Sequence, residues 1–170
     1  MACDLSLGRN EECKDNVGGI KAVYFMNYAS NLPNEVSFEG NSVIDGFDNN
    51  YNIYKYELKG ANSYEEENVK GNSTSSYNQT GTMFLKKQNA TTLKELKMLS
   101  YGRPHAFIED KNGNLRLAGF ERGLDVQINN STGASLEEDN GYSITFSGQE
   151  RSPAHFVTSG GFADLTIVDN

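Results

Sequence analysis

The stretch Thr91–Phe120, TTLKELKMLSYGRPHAFIEDKNGNLRLAGF, carries the clearest local signals in the chain, a helix followed by a tight hairpin. Thr92 and Glu95 have the spacing of a capping box, in which two side chains satisfy free N–H groups at a helix start. Gly102 follows, and glycine is the residue that best tolerates the left-handed conformation ending many helices. These signals predict an α-helix over about residues 91–101.

The predicted helix carries Leu93, Leu96 and Leu99 at spacings of three, with Lys94 and Lys97 on the other side. This spacing predicts a single apolar stripe. A helix of this length is only marginally stable alone in water. We therefore expect the leucine stripe to pack on a sheet formed by the rest of the chain.

A hairpin signal follows the helix. Asn112-Gly113 is among the strongest short signals for a turn between two strands. Leu115 and Leu117 then alternate with other residues along the return strand. We expect an antiparallel pair of strands on either side of this turn.

The composition favours a mainly β protein. The chain has 170 residues, with nine Tyr, nine Phe, 17 Gly and no Trp. Aromatic residues are enriched in strands, and glycine is frequent in turns. The length fits a single domain over residues 1–170.

Segments with alternating or aromatic-rich sequences predict the other strands. They lie at 20–28, 36–39, 51–59, 77–87, 124–128 and 142–146. Residues 42–50 are rich in turn formers, residues 148–153 are expected to end the preceding strand, and residues 156–168 are expected to be extended. Together they predict an antiparallel β-barrel or β-sandwich with one flanking helix.

Two segments differ from this pattern. Residues 1–19 predict an extended N-terminal arm, which would be either disordered or held against a neighbour. Residues 60–76 contain only Tyr64 and Val69 as sizeable apolar side chains, and they predict a projecting hairpin or loop with Gly71 near its tip.

The charge of the chain limits the partners it can bind. The formal net charge is -8, and the sequence has no basic run of the kind that grips nucleic-acid phosphates. An acidic surface can still let nucleic acid pass without sticking. No apolar stretch approaches the roughly 20 residues of a membrane span, and the polar start MACDLSLGRN predicts no secretory signal. We expect a protein made in the cytoplasm that does not bind membranes.

The cysteines and histidines suggest neither a metal site nor a catalytic site. Cys3 and Cys13 are expected to be free thiols in a protein made in the cytoplasm, and Cys13 shows no sign of an activated thiol. Two Cys and two His at these distances match no set of metal ligands. His105 at the helix-to-strand corner and His155 in a C-terminal loop are interpreted as structural residues.

Acidic and glycine-containing motifs are the remaining candidates for ligand sites. The acidic clusters are Glu65, Glu66 and Glu67, and then Glu137, Glu138 and Asp139. Neither cluster has the Asp/Asn spacing of a calcium loop, so both predict solvated acidic faces. DKNGN at residues 110–114 predicts a turn, and GFERG at residues 119–123 is too short for a phosphate loop. We therefore predict no catalytic, metal-binding or cofactor-binding residues, and a protein that is not an enzyme.

Three blocks of sequence carry a family resemblance. They are MACDLSLGRNEECKDNVGGIKAVYF, LKELKMLSYGRPHAFIEDKNGNLRLAGFERGLDV and YSITFSGQERSPAHFV. In this order they resemble a family of virion proteins from tailed phages of Bacteroidota, namely tail tube proteins and related ring-forming tail and connector proteins. The GRPH, ED and NGN elements and the final GQE, PA and F elements are the most specific parts of the resemblance.

The resemblance implies a structural protein of the phage tail, assembled in the host cytoplasm and located in the virion. It implies a tail-tube-like β-barrel or sandwich that forms stacked, usually hexameric, rings around a DNA channel. The expected partners are other copies of the same chain and other tail or neck proteins, and DNA would pass through the channel without specific binding.

Two other functions remain open. A neck, connector or stopper protein would use the same fold in a single ring. A carbohydrate-binding β-sandwich module would use the tyrosine-rich strands to stack on sugars.

Overall fold

The computed structural model describes residues 4–40 and 42–169. Within these residues the chain forms twelve strands, two α-helices and a short 3-10 helix, so the predicted mainly β fold with a flanking helix is confirmed. The strands are β1 (Ile20–Met26), β2 (Val36–Glu39), β3 (Val43–Phe47), β4 (Asn52–Glu57), β5 (Ser63–Lys70), β6 (Ser75–Lys86), β7 (His105–Asp110), β8 (Leu115–Ala118), β9 (Asp125–Ser131), β10 (Gly141–Glu150), β11 (His155–Val157) and β12 (Thr166–Val168). The helices are α1 (Ala90–Tyr101), α2 (Ser159–Ala163) and the 3-10 helix Leu32–Asn34.

The strands form two sheets. The larger sheet has eight strands in the order β12-β4-β1-β7-β8-β11-β3-β2, and the smaller sheet has four in the order β5-β6-β10-β9. Every neighbouring pair in the smaller sheet is antiparallel. In the larger sheet, β11 runs parallel to β3 and β12 runs parallel to β4.

The larger sheet is buried on both faces, because alternate residues of its central strands face two different cores. On β1, Val23 and Phe25 face the core between the two sheets, which α1 also covers. Tyr24 and Met26 face a second core on the opposite side of the sheet. The smaller sheet contributes only to the first core, through residues such as Phe146.

Of the two architectures that the sequence allowed, the closed barrel is not formed. The larger sheet curls, and Phe47 on β3 meets Phe107 on β7 with ring centroids 5.7 Å apart. Phe162 on α2 lies 5.8 Å from Phe107 and 5.1 Å from Tyr24. Helix α2 therefore packs inside the curl, and the two edge strands of the larger sheet, β12 and β2, do not pair with each other.

Helix α1 begins at Ala90, one residue before the predicted range of about 91–101, but its N-cap is not the residue that the capping box predicts. Asn89 is the N-cap, and its side chain accepts the backbone N–H of Thr92 at 2.8 Å. The capping box at Thr92 is therefore wrong, since Thr92 lies inside the helix. Gly102 ends the helix in an extended conformation instead of the expected left-handed one.

The leucine stripe is only partly correct. Leu96 is fully buried, and Leu99 packs against the core between the sheets from a half-buried position. Leu93 is 44% exposed, so its predicted place on the sheet is wrong. The turns of an α-helix are 3.6 residues long, and a spacing of three therefore drifts around the helix.

Three strand boundaries also differ from the prediction. Residues 42–50, predicted as turns, include β3, because β2 and β11 pair with it on either side. Strand β10 continues through Gly148 to Glu150, where a break was predicted. A Cβ at Gly148 would lie 2.8 Å from the Leu124 side chain, so this glycine allows a close contact and does not end the strand. Within the predicted extended end, residues Ser159–Ala163 form α2.

The hairpin after α1 is confirmed. Strands β7 and β8 pair antiparallel around the turn, and Gly113 has a φ of 88°. Asp110 accepts the backbone N–H groups of Asn112 and Asn114, both at 2.9 Å. The DKNGN motif therefore serves as a turn.

The N-terminal arm and the segment at residues 60–76 differ in their exposure and in their contacts with the rest of the chain. Residues 4–19 are exposed throughout, and the side chain of Asn112 bonds both the N–H and the carbonyl of Val17, at 3.0 and 2.7 Å. Residues 60–76 contain β5 and the turn into β6, closed by the N–H of Gly71 and the carbonyl of Thr74. Residues 67–75 are exposed, whereas Asn62 at the base of this segment is buried.

Candidate functional site

The outward face of the smaller sheet includes three consecutive rows of polar side chains. Strand pairing aligns Ser63, Thr82, Thr145 and Gln127 in one row and Glu65, Thr80, Ser147 and Asp125 in the next. A third row aligns Glu67, Asn78 and Gln149. We call these eleven residues the polar face. All are exposed except Thr145 and Asn78, which are half-buried.

The polar face lacks positive charge. Its side chains are hydroxyls, amides and three carboxylates, with no Lys or Arg among the eleven residues. The opposite face of the same strands carries Met83, Ile144 and Phe146 into the core. One face is therefore fixed in the protein interior, while these three rows of the other face are neutral to acidic. Beyond them the same outward face continues with a row that contains Phe84 and Ser143, and then with Lys86.

The smaller sheet ends in two unpaired strands within the described part of the chain, β5 on one side and β9 on the other. Their lengths are similar, at eight and seven residues. Because the sheet has four strands and every pair is antiparallel, β5 and β9 run in opposite directions. If two copies stood side by side in the same orientation, β9 of one could continue the antiparallel pairing with β5 of the next.

His105 is buried and serves the fold. Its Nε2 accepts the backbone N–H of Ala29 at 3.1 Å, and its Nδ1 lies 2.6 Å from the carbonyl oxygen of Gly119, to which it donates. Burial lowers the pKa of the imidazole, and the nearby Arg103 guanidinium acts in the same direction. Both ring nitrogens are bonded to backbone, so neither is free to act on a substrate.

His155, predicted in a C-terminal loop, is the first residue of β11, an inner strand of the larger sheet, and it lies in an aromatic cluster. Its ring packs edge-on against Phe38 and Phe120, with centroids 5.2 and 5.1 Å away. Its Nε2 is 3.4 Å from Ser152 Oγ, but its Nδ1 faces the carbonyl oxygen of Ser42. A catalytic triad would place a carboxylate at that nitrogen. The described residues thus offer a serine–histidine contact without the orienting acid.

The acidic clusters do not form a metal site among the described residues, where no group of three His, Cys, Asp or Glu could hold a metal ion. Glu66 binds the backbone N–H of Ala154, and Glu138 binds the backbone N–H of Ala134. Cys13 is exposed on the arm. Cys3 lies outside the described residues, so its predicted free thiol remains a prediction.

The GFERG loop holds a carboxylate of its own chain. The backbone N–H groups of Glu121 and Arg122 donate to Glu150, at 3.2 and 3.0 Å. Burial raises the pKa of Glu150, and these two hydrogen bonds oppose that change. Since an internal side chain already uses both N–H groups, the loop has no free anion site there.

Two connected depressions lie beside α1, and the sequence did not predict either. The first, which we call the tyrosine pocket, has a volume of about 310 Å³ between β1, β4 and the end of α1. It is lined in part by Tyr28, Tyr54, Tyr56, Glu95, Met98 and Arg103. The guanidinium of Arg103 lies 4.0 Å from the centre of the Tyr28 ring. The imidazole of His105 also stacks on the Tyr28 ring, with the two ring centroids 5.2 Å apart.

The second depression, which we call the lysine groove, has a volume of about 700 Å³ between β4, β12 and the start of α1. Four lysines line it, namely Lys55, Lys59, Lys86 and Lys87. Three carboxylates also line it, and Tyr54 and Tyr56 continue it into the tyrosine pocket. These residues come from separate parts of the sequence, so only the tertiary fold brings them together.

Among the described residues, no helix combines the length and the apolar character needed to cross a membrane. No protein-family model, curated protein sequence or solved structure matches the chain.

Proposed function

We propose that this protein is a structural subunit of a phage tail tube, in which copies form stacked rings around a DNA channel. The observation that carries the proposal is the polar face, which has three rows of hydroxyl, amide and carboxylate groups and no cation. Protein groups that hold DNA do so mainly by placing Lys and Arg against its phosphates. A channel lined by the polar face would not bind those phosphates, and its carboxylates would repel them. DNA could therefore move through it.

The edges of the smaller sheet support ring formation. Strand β9 of one copy would pair with β5 of the next, and repetition around a rotation axis would join the sheets into one continuous wall. Closing the wall leaves no unpaired strand in it, which removes the aggregation hazard of exposed edges. The resulting surface would present the polar face of every copy to the channel.

The width of such a ring fits its proposed cargo. Strands in a sheet lie about 4.8 Å apart, so six copies of a four-stranded sheet would form a ring about 37 Å across at the backbone. Side chains would narrow this opening, and the remaining space accommodates one DNA duplex. Six copies is the ring size that the family resemblance implies.

Electron microscopy of the purified protein tests this proposal. We expect long tubes of stacked rings with a central channel. A neck or connector protein would give single rings, and a carbohydrate-binding module would give separate molecules.

Proline substitutions then test the ring contact itself. Adjacent residues of an edge strand point their N–H groups in opposite directions, one toward β10 and one toward the free edge. We would therefore make Asn129→Pro and Asn130→Pro separately. One variant should lose folded stability because it breaks the β9–β10 pairing, and the other should stay folded but form no rings. If both variants still assemble like the wild type, β9 is not the ring contact.

Carbohydrate binding is the second candidate, and the tyrosine pocket favours it. Its volume falls within the usual range for small-ligand sites, about 300–1,000 Å³. Tyrosine rings can cover the apolar face of a sugar, while Glu95 and Arg103 can bond its hydroxyls. Titration with a panel of oligosaccharides tests this function. Binding that Tyr54→Ala abolishes would support it, and the absence of binding to any sugar would reject it.

A further inference from the structure

The N-terminal arm has the features of a segment that binds another protein surface. Leu5 is 98% exposed and Leu7 is 89% exposed, and residues 4–19 are exposed throughout. Two leucines separated by one residue lie on the same side of an extended chain. Together they form one exposed apolar patch on a polar segment, and such patches can mark interaction sites.

Within the described residues, hydrogen bonds to the rest of the chain hold the arm at its C-terminal end. Asn112 holds Val17 through two hydrogen bonds, at the turn between β7 and β8. The thirteen residues from Asp4 to Asn16 can span about 40 Å when extended. This reach is long enough for the arm to extend onto an adjacent copy.

The lysine groove has the apolar area and the lysines that such an arm would contact. Val168 and the two tyrosines Tyr54 and Tyr56 supply apolar area beside its four lysines. Within the described residues, none of these lysines makes an ion pair. One wall of the groove is β12, an edge strand whose Ile167 and Val168 are 45% and 40% exposed.

The net charges of the arm and of the lysine groove are also opposite. Residues 4–13 contain three carboxylates, Asp4, Glu11 and Glu12, against one cation, Arg9. The groove has four lysines against the carboxylates of Glu57, Glu95 and Asp169, which gives it an excess of positive charge on a chain of net charge -8. An extended segment can also add to a free edge strand through its backbone, as β12 would permit.

From these features we infer that residues 4–13 of one copy bind in the lysine groove of a second copy. Leu5 and Leu7 contact the tyrosine-lined part of the groove, and Glu11 and Glu12 pair with its lysines. The arm does not fill the groove of its own chain, because residues 4–19 are exposed along their whole length. This inference rests on the proposed self-assembly and adds a contact separate from β5 and β9.

Disulfide trapping between two full-length chains tests the inference. One chain carries Cys3→Ser and keeps Cys13 in its arm. The other carries Cys3→Ser, Cys13→Ser and Thr91→Cys, which places a thiol on the groove wall. The matched control replaces Thr91→Cys by Lys97→Cys, an exposed position on α1 outside the groove. After mild oxidation, mass spectrometry identifies the linked peptides.

We expect a link from Cys13 to position 91 and little or none to position 97. Leu5→Asp with Leu7→Asp should abolish the link. Lys86→Glu with Lys87→Glu should slow it about tenfold, as charge reversal slows steered association. Adding Glu11→Lys and Glu12→Lys to the arm should then restore it.

Several outcomes would overturn the inference. Equal linking at positions 91 and 97 would mean that the arm does not select the groove. A single chain with both Cys13 and Thr91→Cys that links only to itself would place the arm in its own groove. Rings seen by microscopy without any link at position 91 would reject the arm contact and leave the ring proposal standing. Specific links without rings would reject the ring proposal alone.

Discussion

The carboxylate of Glu66, on β5 of the smaller sheet, accepts the backbone N–H of Ala154, which lies just before β11 of the larger sheet, at 3.0 Å. The same oxygen accepts the hydroxyl of Tyr64 at 2.7 Å. Burial and the neighbouring Glu66 raise the pKa of Tyr64 far above its usual range, so the hydroxyl stays protonated as a donor. The side chain of Glu66 thus links the outer strand of the smaller sheet to the larger sheet.

Glu66→Ala should lower the free energy of unfolding by about 1–3 kcal/mol, because two donors lose their acceptor in a part-buried site. Chemical denaturation measures the change. Glu65→Ala and Glu67→Ala are the matched controls, since both side chains are exposed on the polar face, and each should stay within about 0.5 kcal/mol of wild type. Equal effects at all three positions would contradict the assigned role of Glu66.

Leu96→Ala should cost about 2–5 kcal/mol of stability, because Leu96 is fully buried beneath α1 and its removal leaves a cavity. Leu93→Ala is the control on the same helix with the same chemical change. Because Leu93 is 44% exposed, its loss should cost much less. Thermal or denaturant unfolding of both variants measures the two losses of stability. Similar losses would place Leu93 in the core after all.

Gly81→Ala should destabilise the smaller sheet by about 1–3 kcal/mol through overpacking. A Cβ at Gly81 would lie 2.0 Å from Cζ of Phe146, whose ring packs in the core between the sheets. Gly160→Ala is the control, because a Cβ there meets no atom closer than 3.9 Å. A Gly81→Ala protein as stable as the control would show that the Phe146 ring can move aside.

Stability should fall as the pH drops below about 6.5, and His105 should cause part of that fall. The pKa of His105 is lowered in the folded protein, so the unfolded chain binds a proton first. The loss therefore develops between pH 6.5 and the lowered folded value. Glu150 acts in the opposite sense, because its pKa is raised and the folded protein binds that proton more readily.

Unfolding of wild type and His105→Gln at pH 7.5 and 5.5 separates these contributions. The Glu150 effect is common to both proteins and cancels in the difference between them. We expect the variant to be less stable at pH 7.5, since hydrogen bonds to Ala29 and Gly119 are lost. It should lose less stability than wild type on acidification. An equal loss in both proteins would show that His105 is not the titrating group.

Local signals predicted the local structure well. The alternation of β1 and β10, the burial of Leu96 and the turn at Gly113 each follow from a few neighbouring residues. Strand β3 was missed because its place depends on pairing with β11, which lies far away in the sequence. The N-cap was misplaced because Thr92 and Asn89 both precede the apolar residues, and sequence alone does not choose between them.

The candidate functional surfaces were harder to predict from the sequence than the helices and strands. The polar face depends on the register among four strands, which places Glu65 beside Thr80 and Ser147 beside Asp125. The two depressions need β4, β12 and α1 to meet, which no local pattern encodes. The acidic composition and the absence of a basic run did predict the general character of the polar face.

The position of β11 has a consequence for synthesis on the ribosome. The β2–β3 hairpin is made early, yet it joins the larger sheet only through β11, near the end of the described chain. Translation adds about 5–20 residues per second, so the hairpin must wait several seconds for its partner strand. Until then the nascent chain lacks a finished larger sheet. The late strand thereby delays completion of the fold, and under the proposed assembly an incomplete chain does not present the finished surface that a second copy would recognise.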